Sequence, residues 1–235
     1  MKNILITGGS RGIGEECVRA FSNAGYRVFF TYKNSHEKAK ALKKECGAIA
    51  INADVCHNNS EVFSVIKPYG KIYALINNAG ISEIKIFQDI TENDWDMMFN
   101  TNVKGMFLTT KGVVDDMIGE KCGRIINISS IWGIRGASCE VHYSASKSAI
   151  IGFTKALAKE LGPSGITVNC IAPGVIDTDM NKNADTSSIL QLKEETPIGR
   201  LGTPQDIASL ALFLCGDEAS FITGQIITAD GGLCV

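Results

Sequence analysis

Long apolar runs are missing from this 235-residue chain. None approaches the ~20 residues that a membrane-spanning helix needs, which excludes a helical membrane protein. An excess of charge of one sign is missing too: 23 Lys and Arg face 25 Asp and Glu, interspersed along the chain, for a net charge of −2. That excludes the basic footprint of a nucleic-acid binder and gives no membrane-surface signal. Histidine is scarce, and His36, His57 and His142 show no metal-ligand spacing, so no metal site is expected. The first residues enter an apolar strand-like run at once, without a basic stretch and a long apolar one, so no secretion signal is expected and the location implied is cytoplasmic. Internal repeats, low-complexity segments and linkers are absent. Cysteine is the exception to this scarcity, with eight residues at 17, 46, 56, 122, 139, 170, 215 and 234. They form no C-x-x-C pair, and Cys170 and Cys215 lie inside apolar runs, so buried free thiols are expected rather than disulfides.

What is present suits one larger α/β domain over 1–235, with ample material for a core. Residues 3–7 read as a buried parallel strand: a short apolar run ended by glycine. Gly8 to Gly14 turn into a helix that runs to about Asn23, with Gly25 as its stop. A strand, a glycine-rich turn and a helix make a phosphate site, because free backbone N–H groups and the helix dipole face the anion. A second strand, Arg27 to Tyr32, follows. Dinucleotide folds place an acidic residue near its end for the ribose of NAD. Here Thr31-Tyr32-Lys33-Asn34 offers no carboxylate, while Arg11 and Lys33 are available for a 2′-phosphate, so NADPH is expected over NADH. The alternative for Lys33 is a solvated loop charge. Further on, Thr91 with Asp94 starts a long helix in the manner of a capping box, with Asn102 in its interior, where asparagine needs a reason. Residues 178–200 are polar and weakly periodic, as expected for a loop acting as a mobile substrate lid.

Tyr143 and Lys147 sit four apart at the start of a helix-like run and share one helix face. A phenol titrates near pH ~10 and is a poor acid or base at neutral pH by itself. A neighbouring ammonium lowers that pKa, and a drop of about three units takes roughly 4 kcal/mol. Ser130 follows the apolar run Arg124 to Ser129, where its hydroxyl can meet a substrate oxygen. By themselves these residues leave a surface Tyr–Lys pair with a loop serine equally open.

Ser130, Tyr143 and Lys147 together resemble the Ser–Tyr–x–x–x–Lys set of the short-chain dehydrogenase/reductase family. Thr7-Gly8-Gly9-Ser10-Arg11-Gly12-Ile13-Gly14, Asn77-Asn78-Ala79-Gly80, Asn102 and Pro173-Gly174 extend the resemblance over essentially the whole chain. It implies a Rossmann-type doubly wound parallel sheet of about seven strands with helices on both faces, and hydride transfer between a nicotinamide and a carbonyl carbon. By resemblance Tyr143 gives the proton, Ser130 hydrogen-bonds the same oxygen, Lys147 lowers the Tyr143 pKa and holds the nicotinamide ribose, and Asn102 completes a proton relay through a water. The cofactor contacts implied are Gly8, Ser10, Arg11, Gly12, Ile13 and Gly14 in the turn, Lys33, and Asp54 and Val55 at the adenine. Asn78, Ala79 and Gly80 line the cleft, with Tyr143 and Lys147. Pro173, Gly174, Val175 and Ile176 cover the nicotinamide, and Thr178 lies near the pyrophosphate. The segment Ile222 to Gly232 resembles one used in tetramer contacts, which implies a homotetramer.

Three readings of function follow. Gly199-Arg200-Leu201-Gly202-Thr203-Pro204 and Ile222-Thr223-Gly224-Gln225 resemble the bacterial 3-oxoacyl-acyl-carrier-protein reductases, which implies a ketone carried on acyl carrier protein. Lys121 and Arg124 near the active-site strand make no obvious basic docking face, and Ser164 stands where such reductases carry arginine. The loop Ile131 to Val141 resembles instead a subgroup of elongation factor P 5-aminopentanone reductases, whose ketone sits on a protein side chain. Glu140, three before Tyr143, favours a cationic substrate over an anionic one. A solvated or Arg135-paired Glu140 is the alternative, and Trp132 is either a substrate wall or core. The third reading, a catalytically silent dinucleotide sensor, has no need of Asn102, Ser130, Tyr143 and Lys147 together.

Overall fold

The computed structural model describes residues 1–57, 59–179 and 186–234. Apolar runs closed by glycine, asparagine or proline become strands, and the amphipathic stretches between them become helices. In chain order the elements are β1 (Asn3–Ile6), α1 (Gly12–Asn23), β2 (Arg27–Tyr32), α2 (His36–Cys46), β3 (Ile49–Asn52), α3 (Asn59–Ile66) and β4 (Ile72–Asn77). There follow α4 (Glu92–Phe99), α5 (Gly105–Glu120), β5 (Gly123–Ile128), α6 (Trp132–Arg135) and α7 (Val141–Leu161). The last are β6 (Ile166–Pro173), α8 (Thr186–Glu195), α9 (Pro204–Cys215) and β7 (Ile226–Ala229). The sheet runs β3-β2-β1-β4-β5-β6-β7 with every neighbouring pair parallel. This is the doubly wound sheet expected from the sequence.

Alternation along each strand divides the core. Ile4 and Ile6 of β1 face α1 and α9, packing with Val18, Phe21, Phe30, Ile76 and Leu214. Leu5 between them faces the other way, with Phe29, Leu75, Val113, Met117, Ile125 and Leu161. With both faces covered, β1, β5 and β6 are buried along their whole length, as a parallel sheet requires. The winding reverses between β1 and β4, and the loops leaving the carboxyl ends of β1, β4, β5 and β6 meet there. That is where ligands sit in such sheets.

Two local expectations change. Thr91 does cap a helix reciprocally with Asp94, but α4 ends after eight residues and a five-residue π-helical turn, Asn100–Lys104, joins it to α5. The segment read as a loop includes α8, whose residues Leu190 to Glu195 are all good helix formers. Residues 180–185 of that expected lid lie outside the described residues. Each cysteine is a free thiol; Cys17, Cys56, Cys170 and Cys215 are buried and the other four are half-buried. No helix among the described residues is long and apolar enough to cross a membrane.

Candidate active site

The β1–α1 turn is locked to the β4 loop by one hydroxyl. Thr7 Oγ1 accepts from the backbone N–H groups of Asn78 and Ala79, each at 3.0 Å. Asn78 Nδ2 returns two bonds, to the carbonyls of Thr7 at 3.0 Å and Gly8 at 3.1 Å. Gly8 adopts φ +66°, and a Cβ on it would lie 2.9 Å from Ala79 Cα. A Cβ on Gly14 would lie 2.3 Å from the Gly8 carbonyl oxygen, so the helix can start this close to the strand only with glycine there. The N–H groups of Arg11, Gly12, Ile13 and Gly14 precede the first intrahelical bond, from Glu15 to Arg11. They form an anion cradle at the positive end of α1. Ser10 is buried and Arg11 is exposed beside it. Thr178 packs over Gly12, with its Cγ2 3.3 Å from where a Cβ would stand. These features fit the phosphates of a dinucleotide.

At the adenosine end, Lys33 is not alone. Its Nζ pairs with Asp54 Oδ2 at 2.8 Å, and His57 Nδ1 stands 3.6 Å from the same oxygen. The carboxylate that β2 lacks in sequence is therefore supplied in space from the end of β3. Burial raises the Asp54 pKa, but the Lys33 ammonium and the Cys56 N–H outweigh it and hold the carboxyl at about 2. Val55 is buried and packs against Gly105 at the start of α5.

Two of the predicted catalytic side chains, Asn102 and Lys147, meet at Gly80. A Cβ there would lie 3.2 Å from Asn102 Oδ1 and 3.5 Å from Lys147 Nζ. Asn102 sits in the π-helical turn, a feature that often marks functional sites. Its Oδ1 accepts from Ile81 N at 2.8 Å, and its Nδ2 donates to Ile81 O and to Ser146 Oγ, both at 3.0 Å. Lys147 is buried, donates to the Ile128 carbonyl at 3.0 Å, and stands 5.5 Å from the centre of the Tyr143 ring. Burial pulls the Lys147 ammonium down to about 8.

For Tyr143 the sequence expectation needs correction. Burial pushes the phenol up to about 12, a hydrogen bond with the Ser130 hydroxyl opposes that rise, and the Glu140 carboxylate adds to it. Lys147 does not depress it, because loss of water around the phenol outweighs an ammonium engaged with a carbonyl.

Glu140 precedes α7, half-buried, and burial raises its pKa. Arg135 does not pair with it: Arg135 Nη1 donates to the Leu233 carbonyl at 2.7 Å. Trp132 is half-buried in α6. Pro173 to Ile176 are held on both sides, by Gly174 N donating to Ala229 O and by a bridge between Ile176 and Gly202. Arg124 lies in β5 itself, at the end away from Ser130, and stands 5.7 Å from the centre of the Tyr73 ring. Sequence reasoning assigned no role to Thr7, Ser146, Glu83 or His142. A hydroxyl ending a strand before a glycine turn was the available signal for Thr7; the others depend on contacts distant in sequence.

A parallel sheet wound in this order, with a glycine-rich anion cradle and a buried Tyr–Lys pair at its switch point, defines a dinucleotide-binding oxidoreductase. A family model described as enoyl-(acyl carrier protein) reductase matches residues 8–234. The 3-oxoacyl-[acyl-carrier-protein] reductase FabG of Chlamydia trachomatis is 39% identical over 99% of this chain and 97% of its own. The acetoacetyl-CoA reductase of Shinella zoogloeoides is 42% identical over 97% and 96%. The crystal structure of a 3-oxoacyl-[acyl-carrier protein] reductase from Brucella melitensis superposes with a TM-score of 0.93 at 33% identity, covering 100% of this chain and 91% of that one. The chain belongs to the short-chain dehydrogenase/reductase family. Within it, the chain is an NAD(P)-dependent ketoreductase.

Proposed function

We propose that this protein reduces the ketone of a 3-oxoacyl thioester, carried on acyl carrier protein, to the secondary alcohol with NADPH, in the cytoplasm. The observation that carries the reading is the buried Tyr143 on α7, with the Lys147 ammonium one turn on and 5.5 Å from its ring centre. Reduction needs a proton donor at the carbonyl oxygen, and a phenol near 12 keeps its proton at neutral pH. When bound, NADPH supplies the hydride that goes to the carbonyl carbon. Ser130 holds the carbonyl oxygen and stabilises the negative charge that develops there. Tyr143 transfers its proton to that oxygen. Lys147, largely charged below pH 8, steadies the ribose and the phenolate left behind. Asn102, beside Lys147 at Gly80, links the lysine to solvent water.

Arg11 and Lys33 support NADPH over NADH. A lysine has three donors, so Nζ can keep Asp54 and still meet a 2′-phosphate. Of the segment expected as a substrate lid, the described part includes α8 and serves that role. The segment Ile222 to Gly232 serves a homotetramer, a role supported by the full exposure of Phe221 beside it.

One observation favours a second reading. Glu140 is half-buried beside Tyr143 with no cation partner among the described residues, an arrangement that suits a ketone bearing an ammonium, such as an aminopentanone group on elongation factor P. Following NADPH oxidation with acetoacetyl-acyl carrier protein, a crotonyl thioester and the modified elongation factor separates the readings. Turnover of the acetoacetyl thioester alone supports the first. Turnover of the modified factor alone replaces it with the second, and turnover of the enoyl thioester alone refutes both.

A further inference from the structure

His142 precedes Tyr143 in the first turn of α7 and is fully buried. Its Nε2 lies 3.4 Å from Glu83 Oε2, and its Nδ1 has no partner among the described residues. With the proton on Nε2, the ring donates to the carboxylate and leaves only a lone pair unpaired on Nδ1. Glu83 belongs to the segment from Ile81 to Ile90 that links β4 to α4. That segment is fastened elsewhere too. Asn102 grips Ile81 in both directions, and Lys85 N donates to the Cys139 carbonyl at 2.7 Å. The Lys85 ammonium pairs with Asp94, the capping residue of α4, and lies 4.0 Å from Glu83 Oε1. Between these fastenings Ile84, Ile86 and Phe87 stand 75%, 51% and 66% exposed. Large apolar side chains held in solvent, on a segment that runs on from Gly80 and is fastened to Cys139 and His142 just before Tyr143, are suited to meeting a ligand.

We propose that Glu83 and His142 are a positioning pair: they hold this segment against the first turn of the catalytic helix so that Ile84, Ile86 and Phe87 receive the apolar chain of the ketone. Neither residue touches the reacting atoms. The contact lies one residue from Tyr143, so it sets where the chain lies relative to the phenol. The inference rests on Tyr143 as proton donor.

The test uses the full chain with NADPH and two N-acetylcysteamine thioesters, 3-oxobutanoyl and 3-oxooctanoyl. Glu83→Ala, a change at a solvent-reached carboxylate, is expected to raise KM for the octanoyl substrate about fivefold to tenfold, the size of one ordinary hydrogen bond, as suits a contact of 3.4 Å. KM for the butanoyl substrate, kcat and the NADPH Kd stay within about twofold on the same scale. Glu83→Gln keeps an oxygen acceptor and restores most of the loss, and His142→Gln adds little to Glu83→Ala because the pair is already broken. An unchanged octanoyl KM in Glu83→Ala, equal rises for both substrates, or a parallel loss of NADPH affinity overturns the proposal. Tyr143→Phe is assayed alongside. If it is inactive while Glu83→Ala leaves KM unchanged, the positioning pair alone fails; if it turns over normally, the proton-donor reading fails first.

Discussion

Replacing Lys147 with methionine should remove turnover and make the fold more stable. The ammonium is buried, and burial lowers its pKa from the ordinary 10.5 to about 8. A drop of about two and a half units corresponds to ~3 kcal/mol spent keeping the charged form inside at neutral pH. Methionine retains the apolar stem and removes the charge. It also removes the 3.0 Å hydrogen bond to the Ile128 carbonyl, a loss of ~1 kcal/mol. The net gain at pH 7 is therefore ~2 kcal/mol, or a rise of about 4–8 °C in Tm for a chain of this size. The sign carries a pH signature. Native Lys147 gives up its proton near 8 and the unfolded chain near 10.5. Between those values the unfolded state binds more protons, so the wild-type protein gains stability as pH rises while the variant lacks this term. Urea denaturation at pH 7 and pH 9.5 reads the gap directly. A Lys147→Met variant less stable than wild type at pH 7, or a gap that does not shrink at the higher pH, would show that burial of the ammonium is not costly.

Two further substitutions probe the cofactor cleft. Thr7→Val keeps the side-chain shape but leaves the Asn78 and Ala79 N–H groups without their acceptor; a loss of ~1–3 kcal/mol in thermal unfolding is expected, with weaker NADPH binding by fluorescence titration. Asp54→Asn removes the charge that holds Lys33. The preference for NADPH over NADH, measured as a ratio of Kd values, should rise about two- to fivefold, the worth of one exposed ion pair.

The strands were legible because their signals are local: β1, β2, β4 and β5 are apolar runs with glycine, asparagine or serine at their ends, each followed by helical spacing; the doubly wound order came from the family resemblance. The Tyr143–Lys147 face was legible for the same reason, since four residues along a helix fix the geometry. The π-helical turn at Asn100–Lys104 was not, because its wider winding is held by contacts from Asn102 to Ile81 and Ser146 that no local pattern announces. The Lys33–Asp54 pair depends on the register that sets Tyr32 beside Asn52 across β2 and β3. Spacing also misjudged the direction of the Tyr143 pKa. It shows which charge is near, but not how much water the surrounding core removes, and burial dominates here.

If Tyr143 gives the proton in ketone reduction, Tyr143→Phe removes the reaction and leaves cofactor binding in place. NADPH oxidation with an acetoacetyl thioester should fall by about 10²–10⁴-fold in kcat, the range for losing a general acid, with the NADPH Kd unchanged. Near-normal turnover by a variant that folds and binds NADPH normally would contradict that role of Tyr143.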